Sequence, residues 1–225
     1  MTLVGYIPAR SGSKRLKDKN FRDFFQGFSM TEIALKKSKK SKKIKFTLLD
    51  TDNEIFLQKM QNKGLTDYCR VRGKKLSQDD SLTKDSLIDC IQKAELDLNI
   101  NIDSIALLQP SSPLISQNSV DNIINRFLET NVDLITSFTD IPININDCIS
   151  VKKNYISKIN IYNKNSDKIL FETGGIYVIK KDRLIQRKEP FCVDSLKNIH
   201  MIPLKEFVDV DFYEQFQLAK DIFKF

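Results

Sequence analysis

Five cationic side chains, Arg10, Lys14, Arg15, Lys17 and Lys19, with Arg22 just beyond, crowd into one short polar stretch with Ser11, Gly12 and Ser13. The stretch, Ile7 to Asn20 (IPARSGSKRLKDKN), follows directly on the apolar run Leu3-Val4-Gly5-Tyr6-Ile7. Like charges repel, so a loop that gathers them is built to hold an anion. Backbone donors near Gly12 and Ser13, with Arg10 and Lys19, could surround a triphosphate. The loop is neither a Walker A sequence nor a GxGxxG fingerprint. Further along stand Asp50 and Asp52, Arg72, Gln109 and the pair Asp209 and Asp211, each after an apolar run.

Those runs are the elements that must position the chemistry. Leu3–Ile7, Phe46–Leu49, Tyr68–Val71, Ser104–Leu108 and Leu134–Phe138 read as strands. They alternate with helical patterns: one opened by the capping box Ser29-x-x-Glu32 and running toward Lys43, one from Glu54 to Asn62 stopped by Gly64, one after Thr83 and one around Val120–Leu128. Strands separated by helices of this length predict right-handed crossovers and a doubly wound, mainly parallel α/β sheet. Ligands bind such sheets beyond the carboxyl ends of the strands, where the opening loop, Asp52, Arg72, Gln109 and Asp209 converge. After Phe138 the rhythm breaks. Residues 140–172 read as a small β-rich insertion and a candidate dimer surface within one domain spanning 1–225. Gly174–Ile179 returns to a buried strand, Phe207–Asp211 reads as extended, and a last helix turns Phe212, Phe216, Ala219 and Phe223 inward.

Composition narrows the classes. Hydrophobic residues make up 41% and charged residues 29% of 225, ordinary for a globular domain. No apolar run reaches the roughly 20 residues of a membrane span, and no signal-peptide pattern opens the chain, so no membrane partner and a cytoplasmic location are expected. Cys69, Cys90, Cys148 and Cys192 form no CxxC pair and, with His200, no zinc spacing; ordinary thiols and a half-buried structural histidine are expected. Much of the net charge of +7 sits in LKKSKKSKK, Leu35–Lys43. Without interleaved aromatics this reads as the solvated end of a helix rather than a nucleic-acid patch.

At these positions the chain resembles the acylneuraminate cytidylyltransferases (CMP-sialic acid synthetases), with relatives acting on pseudaminic and legionaminic acids. IPARSGSKRLKDKN is similar to the family's nucleotide-binding signature. LLDTDNEIFLQKMQNKG, RGKKLSQDDSLTKD, LLQPSSPL and FVDVDFYEQFQLAKDI match four further motifs in the family's order. The resemblance implies a Rossmann-like nucleotidyltransferase fold. It implies transfer of CMP from CTP to a nine-carbon 2-keto-3-deoxy sugar acid with release of pyrophosphate, by a homodimer using Mg²⁺. Arg10 and Lys19 match the triphosphate-holding residues; Asn20, Arg72 and Thr83 match those around ribose and cytosine; Ala9 and Ser13 complete the CTP set. Gln109 and Thr173 fall at the sugar-acid side, and Asp209 and Asp211 match the carboxylates associated with the metal. Arg10, Lys19 and Asp211 are the catalytic candidates.

The chain departs from the pattern at Gly73, where proline is usual, at Thr173, where asparagine is common, at Gln215, where an acidic residue is common, and throughout 140–171. An eight-carbon (Kdo-type) acid is the alternative substrate, and a non-catalytic basic binding module the alternative class. Plainer readings stand beside these: Asp50 and Asp52 as a strand-end turn, Gln109 as a strand-end cap, Arg72 and Thr83 as a surface residue and a helix cap. Asp209 and Asp211, two apart on an extended segment, would project to one side and share a magnesium ion, with Asp211 the more direct ligand. In the plainer reading Asp211 caps the last helix.

Overall fold

The fold is described from a computed structural model covering residues 1–78, 81–140, 149–152, 155–158 and 170–223, with 149–152 and 155–158 as backbone only. Cys148, most of the 140–172 segment and any sugar-site residue within it lie outside the described residues.

In chain order the elements are β1 (Leu3–Ala9), a small hairpin of β2 (Asp23–Phe25) and β3 (Phe28–Ser29), α1 (Met30–Lys40), β4 (Phe46–Thr51), α2 (Glu54–Asn62) and β5 (Tyr68–Val71). Then come α3 (Thr83–Leu98), β6 (Ser104–Leu108), α4 (Gln117–Glu129), β7 (Leu134–Asp140), β8 (Ile149–Lys152), β9 (Tyr155–Lys158), β10 (Leu170–Lys180), α5 (Lys181–Gln186), β11 (Ile199–Met201) and α6 (Tyr213–Ile222). Seven strands form one sheet in the order β11-β7-β10-β6-β1-β4-β5. All neighbours pair in parallel except β10, which runs antiparallel to both β6 and β7. The mainly parallel doubly wound architecture is therefore as the sequence predicts.

Alternation along β1 shows why both faces are covered. Leu3, Ile7 and Ala9 pack with Leu35 of α1, Met60 of α2 and Ile123 of α4. Val4 and Tyr6 point the other way, to Leu87 and Ile91 of α3 and Leu184 of α5. Gly5 sits where α1 crosses closest: a Cβ there would lie 2.0 Å from Ser38 Oγ. A third cluster joins Leu16 of the opening loop and Phe24 of β2 to Val208, Val210, Phe216 and Phe223. Phe24 meets Phe216 and Phe223 edge-on, each with ring centroids 5.3 Å apart. This cluster fastens the C-terminal segment to the opening loop.

Several local expectations change. The hairpin of β2 and β3 is new; Gln26 (φ 50°) and Gly27 (φ 81°) make its two-residue turn, both in the left-handed region such turns require. Leu170 and Phe171 already belong to β10, pairing with Asp140 and Thr139, so the excursion from the main sheet is 141–169. Within it β8 and β9 pair as an antiparallel ladder. Phe212, expected to turn inward, is 48% exposed, and Ile55 (83%) and Leu128 (39%) of the helical patterns also face solvent. Residues 207–211 form no strand, following a 3-10 turn at Leu204–Glu206. Cys69, Cys90 and Cys192 are free thiols, and His200 is half-buried.

The capping box opens α1 as read: Ser29 Oγ accepts from the Glu32 N–H, and Glu32 accepts from the Ser29 N–H. The helix stops at Lys40, and Lys39, Lys40, Lys42 and Lys43 are exposed. Lys37 differs, donating from Nζ to the Pro113 carbonyl at 2.6 Å. Burial pulls it down to about 7, with Glu206 partly offsetting. An unfolded chain keeps that proton until about pH 10.4, so between pH 7 and that value the unfolded state binds more protons and stability rises with pH. Lys37→Met should lack this rise. The melting temperature of the variant minus that of the parent is expected to fall from pH 6.5 to pH 9.5; a constant difference would contradict a depressed Lys37.

Candidate active site

The strand order reverses at β1, where β4 and β5 lie to one side and β6 to the other. A cleft of about 410 Å³ opens there beyond the carboxyl ends of these strands, lined from the opening loop by Arg10, Ser13, Lys14, Arg15, Lys19 and Asn20. Arg72 enters from beyond β5, Thr83 from the start of α3, Gln109 to Ser111 from beyond β6, and Asp211 from the segment before α6. Ligands of open α/β sheets sit in such crevices.

The six cations of the loop divide. Lys17 is exposed and does not line the cleft. Arg22 lies over the Phe216 ring, 5.6 Å from its centroid. The other four surround the cleft. The loop's path is fixed by Asp52, whose Oδ1 accepts from the Ser11 N–H at 2.7 Å and the Ser11 hydroxyl at 3.0 Å. Asn20, 7% exposed, donates from Nδ2 to the Arg10 carbonyl at 3.2 Å, while its own carbonyl accepts from the Thr31 hydroxyl at 2.7 Å. Asn20 therefore ties the loop to α1 as well as lining the cleft.

Lys19 and Asp211 meet because Leu16 and Val210 share the third core cluster. Lys19 Nζ donates to the Val210 carbonyl at 2.9 Å and to Asp211 Oδ1 at 2.8 Å; Arg15 Nη1 lies 2.8 Å from Asp211 Oδ2. Asp211 is not the cap of the last helix. Phe212 holds that position, and Gln215 Oε1 accepts from the N–H groups of Asp211 and Phe212 at 2.8 and 2.9 Å. Asp209 is exposed and does not line the cleft. Burial still alternates along 207–211, with Val208 and Val210 in the core and Asp209 and Asp211 outside it, but only Asp211 lines the cleft. Among the described residues no cluster of three His, Cys, Asp or Glu side chains could hold a metal by itself. Asp211 alone still fits a magnesium ion that takes one carboxylate together with phosphate oxygens and water.

Neither plainer reading of Arg72 and Thr83 fits. Arg72 is 8% exposed, and its guanidinium pairs with the fully buried Asp50 at 2.8 Å. Leu82, not Thr83, is the N-cap of α3, without a side-chain bond; Thr83 is the first helical residue. Asp50 is likewise no strand-end turn but an interior carboxylate. Gln109 lines the cleft and donates its N–H to the Gly175 carbonyl at 2.9 Å. Gly175 itself admits no side chain, since a Cβ would lie 2.3 Å from Ile115. Thr173 is 4% exposed, its hydroxyl 2.6 Å from Ser137 Oγ and donating to the Ser137 carbonyl at 3.1 Å; it lies outside the cleft lining. Ala9 is a buried end of β1, with its neighbours Pro8 and Arg10 reaching the cleft.

A sequence profile described as cytidylyltransferase matches residues 4–223. The chain belongs to the cytidylyltransferase family. Among characterised relatives, this cytidylyltransferase is 25% identical over 218 residues to the CMP-N,N'-diacetyllegionaminic acid synthase of Legionella pneumophila, covering 94% of this chain and 91% of that protein. It is 22% identical over 224 residues to the pseudaminic acid cytidylyltransferase of Campylobacter jejuni, covering 97% and 94%. Against the N-acylneuraminate cytidylyltransferase of Streptococcus agalactiae it is 27% identical over 208 residues, spanning 85% of this chain but 46% of that protein. In fold it is similar to a solved CMP:2-keto-3-deoxy-manno-octonic acid synthetase complexed with CTP, with a TM-score of 0.71, 18% identity and coverage of 99% and 98%. A 4-diphosphocytidyl-2C-methyl-D-erythritol synthase from Anaerococcus prevotii aligns at a TM-score of 0.61 with 13% identity, covering 98% and 95%.

Proposed function

We propose that this cytidylyltransferase transfers CMP from CTP to the anomeric hydroxyl of a nine-carbon 2-keto-3-deoxy sugar acid. The convergence of Arg10, Lys14, Arg15 and Lys19 with Arg72, Thr83, Gln109 and Asp211 in one cleft carries this reading. The cleft is cationic where a triphosphate needs neutralising and polar where a base and a sugar need hydrogen bonds. The activities of the Legionella and Campylobacter relatives, matched over nearly the whole chain, point to the same substrate class.

In the reaction the anomeric hydroxyl oxygen attacks the α-phosphorus and its proton passes to solvent, the bond from phosphorus to the oxygen bridging to the β-phosphate breaks, and pyrophosphate departs. Arg10 and the N–H groups around Ser13 hold the phosphates, and Lys19 neutralises the charge growing on the leaving oxygen. The cations now on Asp211, Lys19 and Arg15, are those a triphosphate competes for, so nucleotide binding would release that carboxylate. Magnesium, when bound through Asp211 and the substrate phosphates, would supply further charge neutralisation at the α-phosphate. Gln109 faces the sugar acid. Thr173 supports the strand beside it through Ser137 rather than touching substrate.

Two further parts of the reading concern setting. No helix among the described residues is long and apolar enough to cross a membrane, and three free thiols suit a reducing compartment; we place the reaction in the cytoplasm, with no nucleic-acid or membrane partner. A homodimer pairing through the 141–169 excursion is supported by Phe171 at its root, 48% exposed and packed on Phe207 at 5.2 Å.

The test is pyrophosphate release from CTP with sialic, legionaminic, pseudaminic and Kdo-type acids in turn. Release is expected with at least one nine-carbon acid, and with CTP well above UTP or ATP, because unmatched buried polar groups penalise the wrong base. Release only with the Kdo-type acid, or equal turnover of all three nucleotides, would overturn the assignment.

A further inference from the structure

Asp50 on β4 has no solvent exposure, and a carboxylate so placed must be fully paired. Its Oδ1 accepts from Arg70 Nε at 3.0 Å and Nη2 at 2.7 Å. Its Oδ2 accepts from the Tyr6 hydroxyl at 2.6 Å and from Arg72 Nε at 2.9 Å, with Arg72 Nη2 at 2.8 Å. Two guanidinium groups on one carboxylate leave a positive charge over. Arg70 Nη1 is paired with Asp89, which balances Arg70, so the charge of Asp50 is matched against Arg72.

The direction of the Arg72 fork follows. Nε and Nη2 are both engaged by Asp50, Nη2 also reaching its backbone carbonyl at 3.3 Å. Among the described residues Nη1 is the nitrogen left over, on a residue that lines the cleft. Tyr6 sets the carboxylate in turn. Burial, then the Asp50 charge, push the phenol well above its ordinary ionisation range, so it stays a donor. The Ser86 hydroxyl stands 3.1 Å from the Tyr6 oxygen and 3.2 Å from the Thr83 carbonyl, with one proton to give between them. Tyr6, Asp50, Arg70 and Ser86 do not line the cleft, whereas Arg72 does, beside Thr83.

We propose that Asp50, braced by Tyr6, is a positioning residue that fixes the Arg72 guanidinium for binding of the cytidine nucleotide. The proposal rests on the reading of Arg72 as a CTP contact. A fixed fork binds a planar polar edge without first losing side-chain freedom, which a mobile arginine would have to give up. Asp50 touches no substrate; its effect passes through Arg72 alone.

The experiment is a double-mutant cycle of Asp50→Asn and Arg72→Met, with KM for CTP, KM for the active sugar acid and kcat measured for each protein. Arg70 keeps Asp89 in Asp50→Asn, which favours a folded variant. Asp50→Asn is expected to raise KM for CTP about tenfold and leave KM for the sugar acid within about twofold. In the Arg72→Met background it should add nothing, because the residue it acts through is gone. A merely structural role would raise both KM values, or add its full loss to the double variant, and either result overturns the proposal. Should Arg72→Met raise KM for CTP while Asp50→Asn does not, the proposal falls and the Arg72 contact stands. Should Arg72→Met itself leave KM for CTP unchanged, both fall. If Asp50→Asn fails to fold, Tyr6→Phe decides: it keeps both arginine pairs and should raise KM for CTP about threefold, non-additively with Arg72→Met, and an unchanged value overturns the proposal.

Discussion

Lys19→Ala is expected to lower kcat/KM for CTP by at least about a hundredfold, roughly the 3 kcal/mol that one preorganised charge contributes at a reacting centre. Lys19 is well placed for this, because its ammonium is held in the cleft by a backbone carbonyl as well as by Asp211. Alanine leaves Asp211 paired with Arg15, and the lost pair is partly exposed, so folding should suffer by only about 1 kcal/mol. That corresponds to a fall of roughly 2–4 °C in melting temperature for a chain of this size. Measuring both quantities separates the two roles: a large thermal loss with normal kcat/KM would make Lys19 a structural strut. Replacing the exposed lysines 39, 40, 42 and 43 together by alanine should leave turnover intact, since charge away from the cleft does not reach the reacting phosphate.

Asp211→Asn should be as damaging, for a different reason. Asparagine keeps the shape, and its oxygen can still accept from Lys19. The Gln215 contacts of the segment, made by backbone N–H groups, are untouched, so the start of α6 should persist. What is lost is the negative charge, and with it the carboxylate a magnesium ion would use beside the phosphates. Turnover is expected to fall by about a hundred- to a thousandfold at Mg²⁺ concentrations that saturate the parent. Asp209→Asn, outside the cleft lining, should cost far less. A fully active Asp211→Asn variant with the parent's magnesium dependence would remove the residue from the site.

Much of this was legible in the sequence, because local signals and tertiary packing agree there. The fully apolar runs of β1 and β6 become central strands, and the capping box of α1 opens a helix in the sheet's frame. The cleft was legible because its residues follow strand ends, and a parallel sheet gathers strand ends at one edge. What failed depends on contacts that spacing cannot encode. Asp209 and Asp211 are two apart and do alternate with the buried Val208 and Val210, but it is pairing with Lys19 and Arg15 that brings Asp211 alone to the cleft. Asp50 looked like the end of a run because its partners, Tyr6, Arg70 and Arg72, lie on two neighbouring strands and the loop beyond. The faint signal was a tyrosine within the aliphatic β1 run and a carboxylate still inside β4. Thr83 has the chemistry of a cap and stands one residue too late to be one.

The antiparallel course of β10 has a consequence for how such a protein can change. β7 ends at Asp140 and β10 begins at Leu170, and these two residues are directly paired across the ladder. The intervening 29-residue stretch therefore leaves and rejoins the sheet at two directly paired positions. Any replacement segment meets the same two endpoints, and doubling its length would cost only about 0.6 kcal/mol in closure. The nucleotide half, built on β1, β4, β5 and the opening loop, contributes neither endpoint. The stretch between them is thus joined to the sheet through β7 and β10 alone, so its length and sequence can change while β1, β4, β5 and the opening loop stay fixed.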